Sequence, residues 1–326
     1  MPAFRVAVAD SVFPNLETAR GVLAPIDADL FLVERQAALG DVARDADAIL
    51  VTYAKIDGET IRGLTRCRII SRFGIGVDNV DIAAATAAGI VVTKVPDYCI
   101  DEVSEHTMAL LLALARKVPF SNARVHDGEW SMPSVVPIHR LRGATLGLVG
   151  FGRIPQLVAP KAQAFGITVI AADPFVSPGL MQHAKVESVT FDELIARSDF
   201  VSIHAPLTAD TRHLFSAQVF ARMKPGAYLV NTSRGPLVDE AALVEALTAG
   251  TIAGAALDVI EQEPLAAGSS LVGCKNLILT PHTAFYSEES LVDLQRKAAE
   301  EVVRVLGGAP PLNPVNPEAL SLTRTA

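Results

Sequence analysis

The sequence predicts an α/β protein built from two doubly wound domains, each with a parallel sheet. Short apolar runs alternate with amphipathic segments along almost the whole chain, which is typical of buried parallel strands covered by helices on both faces. The chain has 326 residues, more than a single hydrophobic core usually supports, and this length fits two domains of roughly 150 residues. Residues 146–173 read as a strand, a glycine turn, a helix and a second strand that ends in an acid, which together predict a βαβ unit.

The first 98 residues predict one of the two domains. The predicted strands are residues 4–9, 30–33, 49–52, 69–72 and 90–93, and the predicted helices are residues 16–23, 57–64 and 81–88. Two close glycines, Gly74 and Gly76, follow the fourth strand. A loop of this kind can form a backbone concavity that binds an anion, or it can be a plain tight turn.

The rest of the chain predicts a second domain inserted into the first. The predicted strands are residues 146–150, 167–172, 200–205, 228–232, 253–259 and 277–280, and the predicted helices are residues 154–165, 240–249 and 288–306. Because the βαβ unit begins in the middle of the chain, we expect a Rossmann domain at residues 99–284. It would interrupt a flavodoxin-like domain formed by residues 1–98 and 285–326. Two crossings between the domains suit a hinge over a cleft, and the proline-rich residues after 306 predict a loosely ordered tail.

A further helix is predicted at residues 101–117, acidic at its start and basic at its end. The apolar second half of this helix predicts burial, partly in a subunit interface. His106 lies on the helix, and a histidine in such a place is more often structural than catalytic. Residues 119–142 lose periodicity and contain Trp130, so they predict an extended arm that packs on another subunit.

The βαβ unit has the features of a dinucleotide site. Gly150 permits a tight turn, Gly152 lets backbone amides approach a pyrophosphate, and the helix that follows directs its positive dipole end at the phosphates. Asp173 lies where a carboxylate can accept hydrogen bonds from the adenosine ribose, which favours NAD over NADP. Pro155 replaces the third glycine of the fingerprint, which predicts a slightly displaced helix, and Pro160 predicts a kink.

Charge and composition exclude several classes of protein. The net charge of −8 and the lack of a basic run argue against a nucleic-acid binder. The three cysteines are far apart and have no metal-ligand spacing, so we expect reduced thiols in a cytoplasmic protein and no metal site. The longest apolar run is too short to cross a membrane, and the N-terminus has no secretion signal.

Chemistry-bearing residues follow the predicted strands of the second domain. Arg234, Glu263 and His282 come after three successive strands, and functional residues gather at the carboxyl ends of strands in an open α/β sheet. Arginine can anchor a carboxylate and polarise the adjacent carbonyl, and histidine beside a carboxylate can exchange a proton. Each residue alone could be a surface ion pair, a solvated acid or a core hydrogen bond. Together they predict a site for carbonyl reduction.

These stretches resemble the D-isomer-specific 2-hydroxyacid dehydrogenase family. The resemblance covers nearly the whole chain and rests on GIGVDNVD at 74–81, PDYCIDEVSEHTMALLLALAR at 96–116, GLVGFGRI at 147–154, NTSRGPLVDEAAL at 231–243, AGAALDVIEQEP at 253–264 and TPHTAFYSEES at 280–290. Within the family the chain is most similar to the branch of the C-terminal binding proteins. The resemblance implies an NAD-dependent enzyme that dimerises through its cofactor domains.

The resemblance also implies the roles of individual residues. Arg234 would bind and orient the substrate, His282 would be the acid/base, and Glu263 would tune His282. Asp258 would hold the nicotinamide carboxamide. The cofactor would be lined by Gly150, Gly152, Arg153, Ile154, Asp173, His204, Ala205, Pro206, Thr211, Thr232, Ser233, Asp258, His282 and Ala284. The substrate would be bound by Ile75, Gly76, Arg234 and Phe285.

The leading hypothesis is therefore reduction of a small 2-keto acid to a D-2-hydroxy acid, with hydride from NADH and a proton from His282. One alternative is an NAD-sensing scaffold that presents a protein-binding surface. A scaffold needs the cofactor pocket but does not need Arg234, Glu263 and His282 together. A second alternative is formate-type dehydrogenation, which transfers no proton and would make Glu263 superfluous.

Overall fold

The structure, a computed structural model, describes residues 2–34 and 39–322. It divides into two compact units, one of Met1–Tyr98 with Ser287–Ala326 and one of Cys99–Tyr286. Each unit holds one sheet, and the strand pairs within both sheets are parallel. The predicted α/β fold class is confirmed.

The first unit has a five-stranded sheet in the order β2-β1-β3-β4-β5, the flavodoxin-like order. Its strands are β1 (Phe4–Val8), β2 (Ala28–Leu32), β3 (Ala48–Val51), β4 (Ile69–Arg72) and β5 (Val91–Thr93). Its helices are α1 (Glu17–Leu23), α2 (Leu39–Val42), α3 (Gly58–Gly63), α4 (Ile82–Ala87) and, from the end of the chain, α12 (Glu288–Leu306). Helix α2 is an addition to the elements predicted from sequence.

The second unit has a seven-stranded sheet in the order β12-β11-β10-β9-β6-β7-β8. Its strands are β6 (Thr145–Val149), β7 (Thr168–Ala172), β8 (Glu187–Ser188), β9 (Phe200–Ile203), β10 (Tyr228–Asn231), β11 (Gly254–Leu257) and β12 (Leu277–Leu279). Its helices are α5 (Ile100–Arg116), α6 (Val118–His126), α7 (Arg153–Ala164), α8 (Pro178–His183), α9 (Phe191–Arg197), α10 (Ala217–Phe220) and α11 (Glu240–Thr248). The strand order reverses beside β6, as in a Rossmann sheet.

Both faces of the second sheet are covered by apolar packing. Leu229 and Val230 are adjacent in β10, yet Leu229 belongs to one buried cluster and Val230 to another. This follows from the alternation of side chains along a strand. Because the central strands β6, β9, β10 and β11 are buried almost throughout, they carry continuous apolar runs, which is why they were recognisable in the sequence.

Local hydrogen bonds fix where several helices begin. The carboxylates of Asp57, Asp81 and Asp239 accept the backbone amide of the third residue of α3, α4 and α11, respectively. Thr190 and Glu193 form a capping box that starts α9. These caps satisfy amides that have no partner in the first turn of a helix.

The prediction of an extended conformation at residues 119–142 is wrong for residues 119–126 and 132–135, and packing of this segment on another subunit stays a prediction. Residues Val118–His126 form helix α6, and Met132–Val135 form a short 3₁₀ helix. No side chain of α6 is buried, so the sequence lacks the apolar periodicity by which a helix is usually recognised. Pro119 in its first turn and Arg124 and His126 in its last turn were the available signals.

The prediction of a loosely ordered tail after residue 306 is also wrong for the described residues up to 322. Pro314 forms a bridge to Thr93 at the edge strand β5, and Val315 donates its amide to the Val92 carbonyl at 2.8 Å. The buried Asn316 accepts the Val92 amide at 2.7 Å and donates to the Ile90 carbonyl at 3.0 Å. The tail therefore closes one edge of the first sheet.

The start of the tail is held by a buried carboxylate of α12. Glu301, 3 % exposed, accepts the backbone amides of Leu312 and Asn313, each at 2.9 Å. It also accepts the side-chain amide of Asn313 at 3.0 Å. The proline-rich composition predicted disorder, since composition alone does not show the hydrogen bonds that the tail forms with Glu301.

No helix in the part of the chain that the structure describes is long and apolar enough to span a membrane.

We expect Asn316→Ala to lower the free energy of unfolding of the first unit by about 2–4 kcal/mol. The substitution leaves the buried Val92 amide and Ile90 carbonyl without these side-chain partners. Urea unfolding followed by circular dichroism measures the change. The matched control is Glu318→Ala, an exposed site on the same tail, which should change the value by less than about 0.5 kcal/mol. Equal effects of the two substitutions would contradict the assignment.

Candidate active site

The turn between β6 and α7 requires glycine at its first position. Gly150 has φ of +96°, and a Cβ there would lie 3.0 Å from the carbonyl oxygen of His204. Gly152 is different, because a Cβ on it would meet no heavy atom of the described residues within 4 Å. Protein packing thus explains Gly150 but leaves open space beside Gly152, at the start of α7. The helix dipole and the backbone amides at this point favour an anion, and the contact of Gly152 with a pyrophosphate stays a prediction.

Two prolines lie within α7, which continues from Arg153 to Ala164. Pro155, at the third fingerprint position, is buried in the first turn, where its missing N–H removes no helical hydrogen bond. Pro160 is exposed, and the helix continues past it. The helix displacement and the kink stay predictions.

Asp173 follows β7, and its carboxylate is held by two backbone amides. Oδ2 accepts the amide of Phe151, in the glycine turn, at 2.8 Å. Oδ1 accepts the amide of Phe175 at 2.8 Å. The negative charge is thereby fixed against the turn that would receive the cofactor. Each oxygen keeps acceptor capacity for a ribose hydroxyl, since a carboxylate oxygen can accept two hydrogen bonds.

Hydrogen bonds also organise the loops after β9 and β10. The Ser233 hydroxyl donates to the Ala205 carbonyl at 2.6 Å and so ties the two loops together. The Thr211 hydroxyl donates to the Pro206 carbonyl at 2.7 Å. The buried Thr232 exchanges a hydrogen bond with Thr107 of α5 at 2.9 Å. The predicted cofactor-lining residues of these loops therefore lie in a connected network.

His204 follows β9 and is neutral near pH 7. Burial of its imidazole lowers the pKa of His204 to about 3. Its Nε2 shares a hydrogen bond of 2.9 Å with the Ser202 hydroxyl. The ring therefore adds no positive charge to this loop.

Asn231 shapes the turn that carries Arg234. Its buried side chain accepts the Ser233 amide at 3.0 Å and donates to the Arg234 carbonyl at 2.9 Å. A Cβ on Gly235 would overlap the Ile260 carbonyl, so glycine lets this turn pass close to the next loop. Asn231 was not among the predicted site residues. An asparagine two residues before a serine at a strand end was the signal for this turn.

Glu263 and His282 form a direct pair. The Nδ1 atom of His282 lies 2.7 Å from Oε2 of Glu263, and Oε1 accepts the Ile260 amide at 3.2 Å. Burial works to raise the pKa of Glu263. The hydrogen bond and charge of His282, the Ile260 amide and the charge of Arg234 outweigh burial and hold that pKa below its ordinary value. Glu263 is therefore a carboxylate near neutral pH, in a form that favours imidazolium.

A buried carboxylate holds the loop on which His282 lies. Asp258, 2 % exposed, accepts the Thr280 hydroxyl at 2.6 Å and the Thr283 amide at 2.9 Å through Oδ1. Its Oδ2 accepts the Ala284 amide at 2.9 Å. The backbone carbonyl of Asp258 accepts the amide of His282 at 2.8 Å. Asp258 thus holds the loop that carries His282 in place. Its contact with nicotinamide stays a prediction.

His282 has an unusual backbone conformation. Its φ is +53°, which a residue with a side chain rarely adopts. Such strain persists only where the surroundings enforce it, and it is concentrated at functional sites. The Phe285 ring lies edge-on to the imidazole, with centroids 6.1 Å apart.

The predicted anion loop lies in the first unit, after β4. Gly74 has φ of +149°, and a Cβ on it would overlap the guanidinium of the buried Arg72. The Val95 amide donates to the Gly74 carbonyl at 2.9 Å. Among the described residues, none accepts the amides of Ile75 and Gly76. Two successive amides in a glycine loop can bind a carboxylate.

The seven-stranded order, the glycine turn and the acid after β7 define a dinucleotide-binding domain. The family model for the NAD-binding domain of the D-isomer-specific 2-hydroxyacid dehydrogenases matches residues 108–284. The domain at these residues is an NAD-binding domain.

Relatives extend the match beyond this domain. The chain is 39 % identical to a D-3-phosphoglycerate dehydrogenase of Archaeoglobus fulgidus over 87 % of this chain and 54 % of the relative. It is 38 % identical to a glyoxylate reductase of Thermococcus litoralis over 85 % of this chain and 86 % of the relative. Its fold matches the D-lactate dehydrogenase of Aquifex aeolicus, solved with NAD and lactic acid. That match has a TM-score of 0.85 and 28 % identity, over 93 % of this chain and 96 % of that one.

The chain therefore belongs to the D-isomer-specific 2-hydroxyacid dehydrogenase family. It spans about half the length of the phosphoglycerate dehydrogenases it matches. The narrower resemblance to the C-terminal binding proteins stays a prediction. The roles of the individual site residues stay predictions as well.

We expect NADH to bind at least about 10²-fold more tightly than NADPH, because a 2′-phosphate would face the fixed charge of Asp173. Titration of both cofactors by fluorescence, which needs no substrate, measures the two dissociation constants. Asp173→Asn, which removes the charge, should reduce the ratio of the NADPH dissociation constant to the NADH dissociation constant. Tighter binding of NADPH by the parent protein would show that Asp173 does not lie at the ribose.

Proposed function

We propose that this protein is an NAD-dependent reductase that converts a small 2-keto acid to a D-2-hydroxy acid. The observation that carries the proposal is the Glu263–His282 pair at 2.7 Å, with the charge of Arg234 acting on the same carboxylate. A scaffold that only senses NAD needs the cofactor pocket and has no use for this pair. Formate-type dehydrogenation transfers no proton, so the pair favours the reductase over that reaction as well.

The proton path follows from which histidine nitrogen is engaged. Nδ1 of His282 faces Glu263, so the proton would pass to the substrate oxygen from Nε2. The carboxylate of Glu263 stabilises the imidazolium that exists before transfer. Bound NADH supplies the hydride that adds to C2. The carbonyl thus gains one hydride and one proton and becomes a hydroxyl.

Arg234, in the second unit, would hold the substrate carboxylate. A guanidinium can grip a carboxylate at two points and polarise the neighbouring carbonyl. No described residue accepts a hydrogen bond from the amides of Ile75 and Gly76. This supports an anion-binding role for the glycine loop of the first unit. Phe285, packed edge-on to His282, would contact the substrate side chain.

The cofactor would lie along the carboxyl edge of the seven-stranded sheet. Its pyrophosphate would meet Gly150, Gly152, Arg153 and Ile154, and its adenosine ribose would meet Asp173. The rest of the cofactor would be lined by His204, Ala205, Pro206, Thr211, Thr232, Ser233, Asp258, His282 and Ala284. The hydrogen bonds that join these loops support a pocket formed before the cofactor arrives.

The test is NADH oxidation with a panel of 2-keto acids whose side chains increase in size from glyoxylate. The glyoxylate reductase relative, matched over most of both chains, supports small members of this class. We expect turnover with at least one of them and a D-configured product. A parent protein that binds NADH but reduces no 2-keto acid would overturn the proposal.

Three substitutions, assayed with the best acid of the panel, extend this test. His282→Ala removes the proton donor and should lower kcat by about 10²–10⁴-fold. Arg234→Lys keeps the charge but loses the two-point grip, so it should raise KM and lower kcat together. Glu263→Gln keeps the shape but removes the charge that favours imidazolium.

The pH profile of Glu263→Gln has a definite sign. Reduction needs protonated His282, and without the carboxylate the imidazole loses its proton more readily. The alkaline loss of activity should therefore occur at lower pH than in the parent. On the acid side, Glu263 stays ionised until the pH falls to its lowered pKa, so the Glu263–His282 pair stays charged down to that pH. The measurement is kcat/KM as a function of pH for the parent and for Glu263→Gln. If the alkaline side of the profile is the same in both, another group tunes His282.

We also propose that the protein is a homodimer joined through its cofactor domains. Helix α6 and the residues after it expose large apolar side chains, namely Val118, Val125, Trp130, Met132 and Val136. Trp130 is 89 % exposed, and contiguous exposed apolar surface marks interaction sites. Light scattering coupled to gel filtration should give the dimer mass for the parent and a lower mass for Trp130→Glu. A monomeric parent would contradict this assignment.

Cytoplasmic location and the lack of a nucleic-acid or membrane partner stay predictions.

A further inference from the structure

We infer that His106 is a positioning residue for His282, acting through Thr280 and Asp258. The inference rests on the proposed function, in which His282 transfers the proton. His106 lies on α5, 174 residues before Thr280, and was expected to be a structural histidine. Its side chain is 24 % exposed and lies at the loop that carries His282.

The contacts of His106 lead to the buried carboxylate. Its Nε2 lies 3.1 Å from the Thr280 hydroxyl and 3.5 Å from Oδ1 of Asp258. The Thr280 hydroxyl lies 2.6 Å from the same Oδ1. The three groups thus form a chain of hydrogen bonds from a helix to the carboxylate.

The direction of each hydrogen bond follows from the available protons. An ionised carboxylate can only accept, so the Thr280 hydroxyl donates its proton to Asp258. The oxygen of Thr280 is then an acceptor toward His106, and Nε2 of His106 must be the donor. His106 therefore carries a proton on Nε2 and fixes the orientation of the Thr280 hydroxyl.

The carboxylate transmits this restraint to His282. Asp258 accepts the amides of Thr283 and Ala284 through its side chain and the amide of His282 through its backbone carbonyl. The left-handed φ of His282 needs such outside support. If Thr280 turns away, Asp258 loses the hydroxyl that fixes Oδ1, and the loop loses part of its anchor.

The helix on which His106 lies is a firm base for this chain. Thr107, the next residue, is buried and hydrogen-bonded to Thr232 at the end of β10. Helix α5 spans 17 residues, and eight of them are buried. One helix is thus bonded, through adjacent residues, to the loops after β10 and β12. His106 is placed to set the second of these loops relative to the first.

The experiment compares the parent with His106→Ala, His106→Gln, Thr280→Val and the double variant His106→Ala/Thr280→Val. The glutamine Nε2 can replace the histidine Nε2 as a donor. Valine has the shape of threonine without the hydroxyl through which His106 acts. His183→Ala, an exposed histidine on α8, is the matched control.

The first readout needs no activity. Hydrogen–deuterium exchange of residues 280–284 should become faster by on the order of tenfold in His106→Ala and in Thr280→Val. Exchange in β6 and α7 should stay as in the parent. Faster exchange throughout the unit would indicate a general structural role and would overturn the inference, as would unchanged exchange at 280–284.

The second readout is kinetic. We expect kcat with the best 2-keto acid to fall about tenfold in His106→Ala, with a smaller change in KM. His106→Gln should recover most of that loss, and the double variant should be no slower than the slower single variant, because both act on one chain. Additive losses, or no rescue by glutamine, would overturn the inference. A parent protein without reductase activity would overturn the proposed function instead, and the exchange experiment would still decide the part of His106.

Discussion

The parallel register of the seven-stranded sheet is the constraint on which the candidate site depends. Its strands end in one row, in which Val149 pairs with Ile203, Ile203 with Asn231, Asn231 with Leu257, and Leu257 with Leu279. The residues that follow this row are Gly150, His204, Thr232, Asp258 and Thr280. A shift of one residue in any strand would turn its side chains to the opposite face and remove its loop from this row. The covering of both faces by apolar clusters is what fixes the register.

Buried or half-buried acceptors then hold the loops at the end of this row. Asp173 binds the glycine turn, Asn231 binds the arginine turn, and Asp258 binds the histidine loop. Hydrogen bonds from amides to a carboxylate are stronger than those between neutral groups, so one acid can restrain several backbone positions. The first unit uses the same device, since Asp10 accepts the amides of Thr52 and Tyr53 after β3. The chemistry of the loops therefore depends on side chains that do not themselves react.

The elements that could be predicted from sequence are those whose signals are local. Helix α12 was predicted with its observed bounds, because an amphipathic period and a serine cap are both local patterns. The βαβ unit was recognisable for the same reason, since its glycine turn follows β6 and Asp173 follows β7. The set of Arg234, Glu263 and His282 could be proposed because residues after consecutive parallel strands share one edge.

What could not be predicted depends on contacts between distant residues. Helix α6 buries none of its side chains, so it leaves no apolar period. The link from His106 to Thr280 joins two elements that sequence spacing does not relate. The orientation of Asp258 toward Thr283 and Ala284 is a property of the folded loop. A strand-end pattern indicates which residues gather but not which of them hold the others in place.

The tail beyond α12 has a consequence for association of the chain with itself. Strand β5 is the last of its sheet, and a bare edge strand offers its amides and carbonyls to any other extended chain. The tail occupies that edge through Pro314 and Val315, and Pro314 has no amide with which to extend a sheet further. A chain shortened at Leu306 would keep every residue of the candidate site and still expose β5 to edge-to-edge aggregation. Residues 307–322 therefore bear on solubility rather than on chemistry.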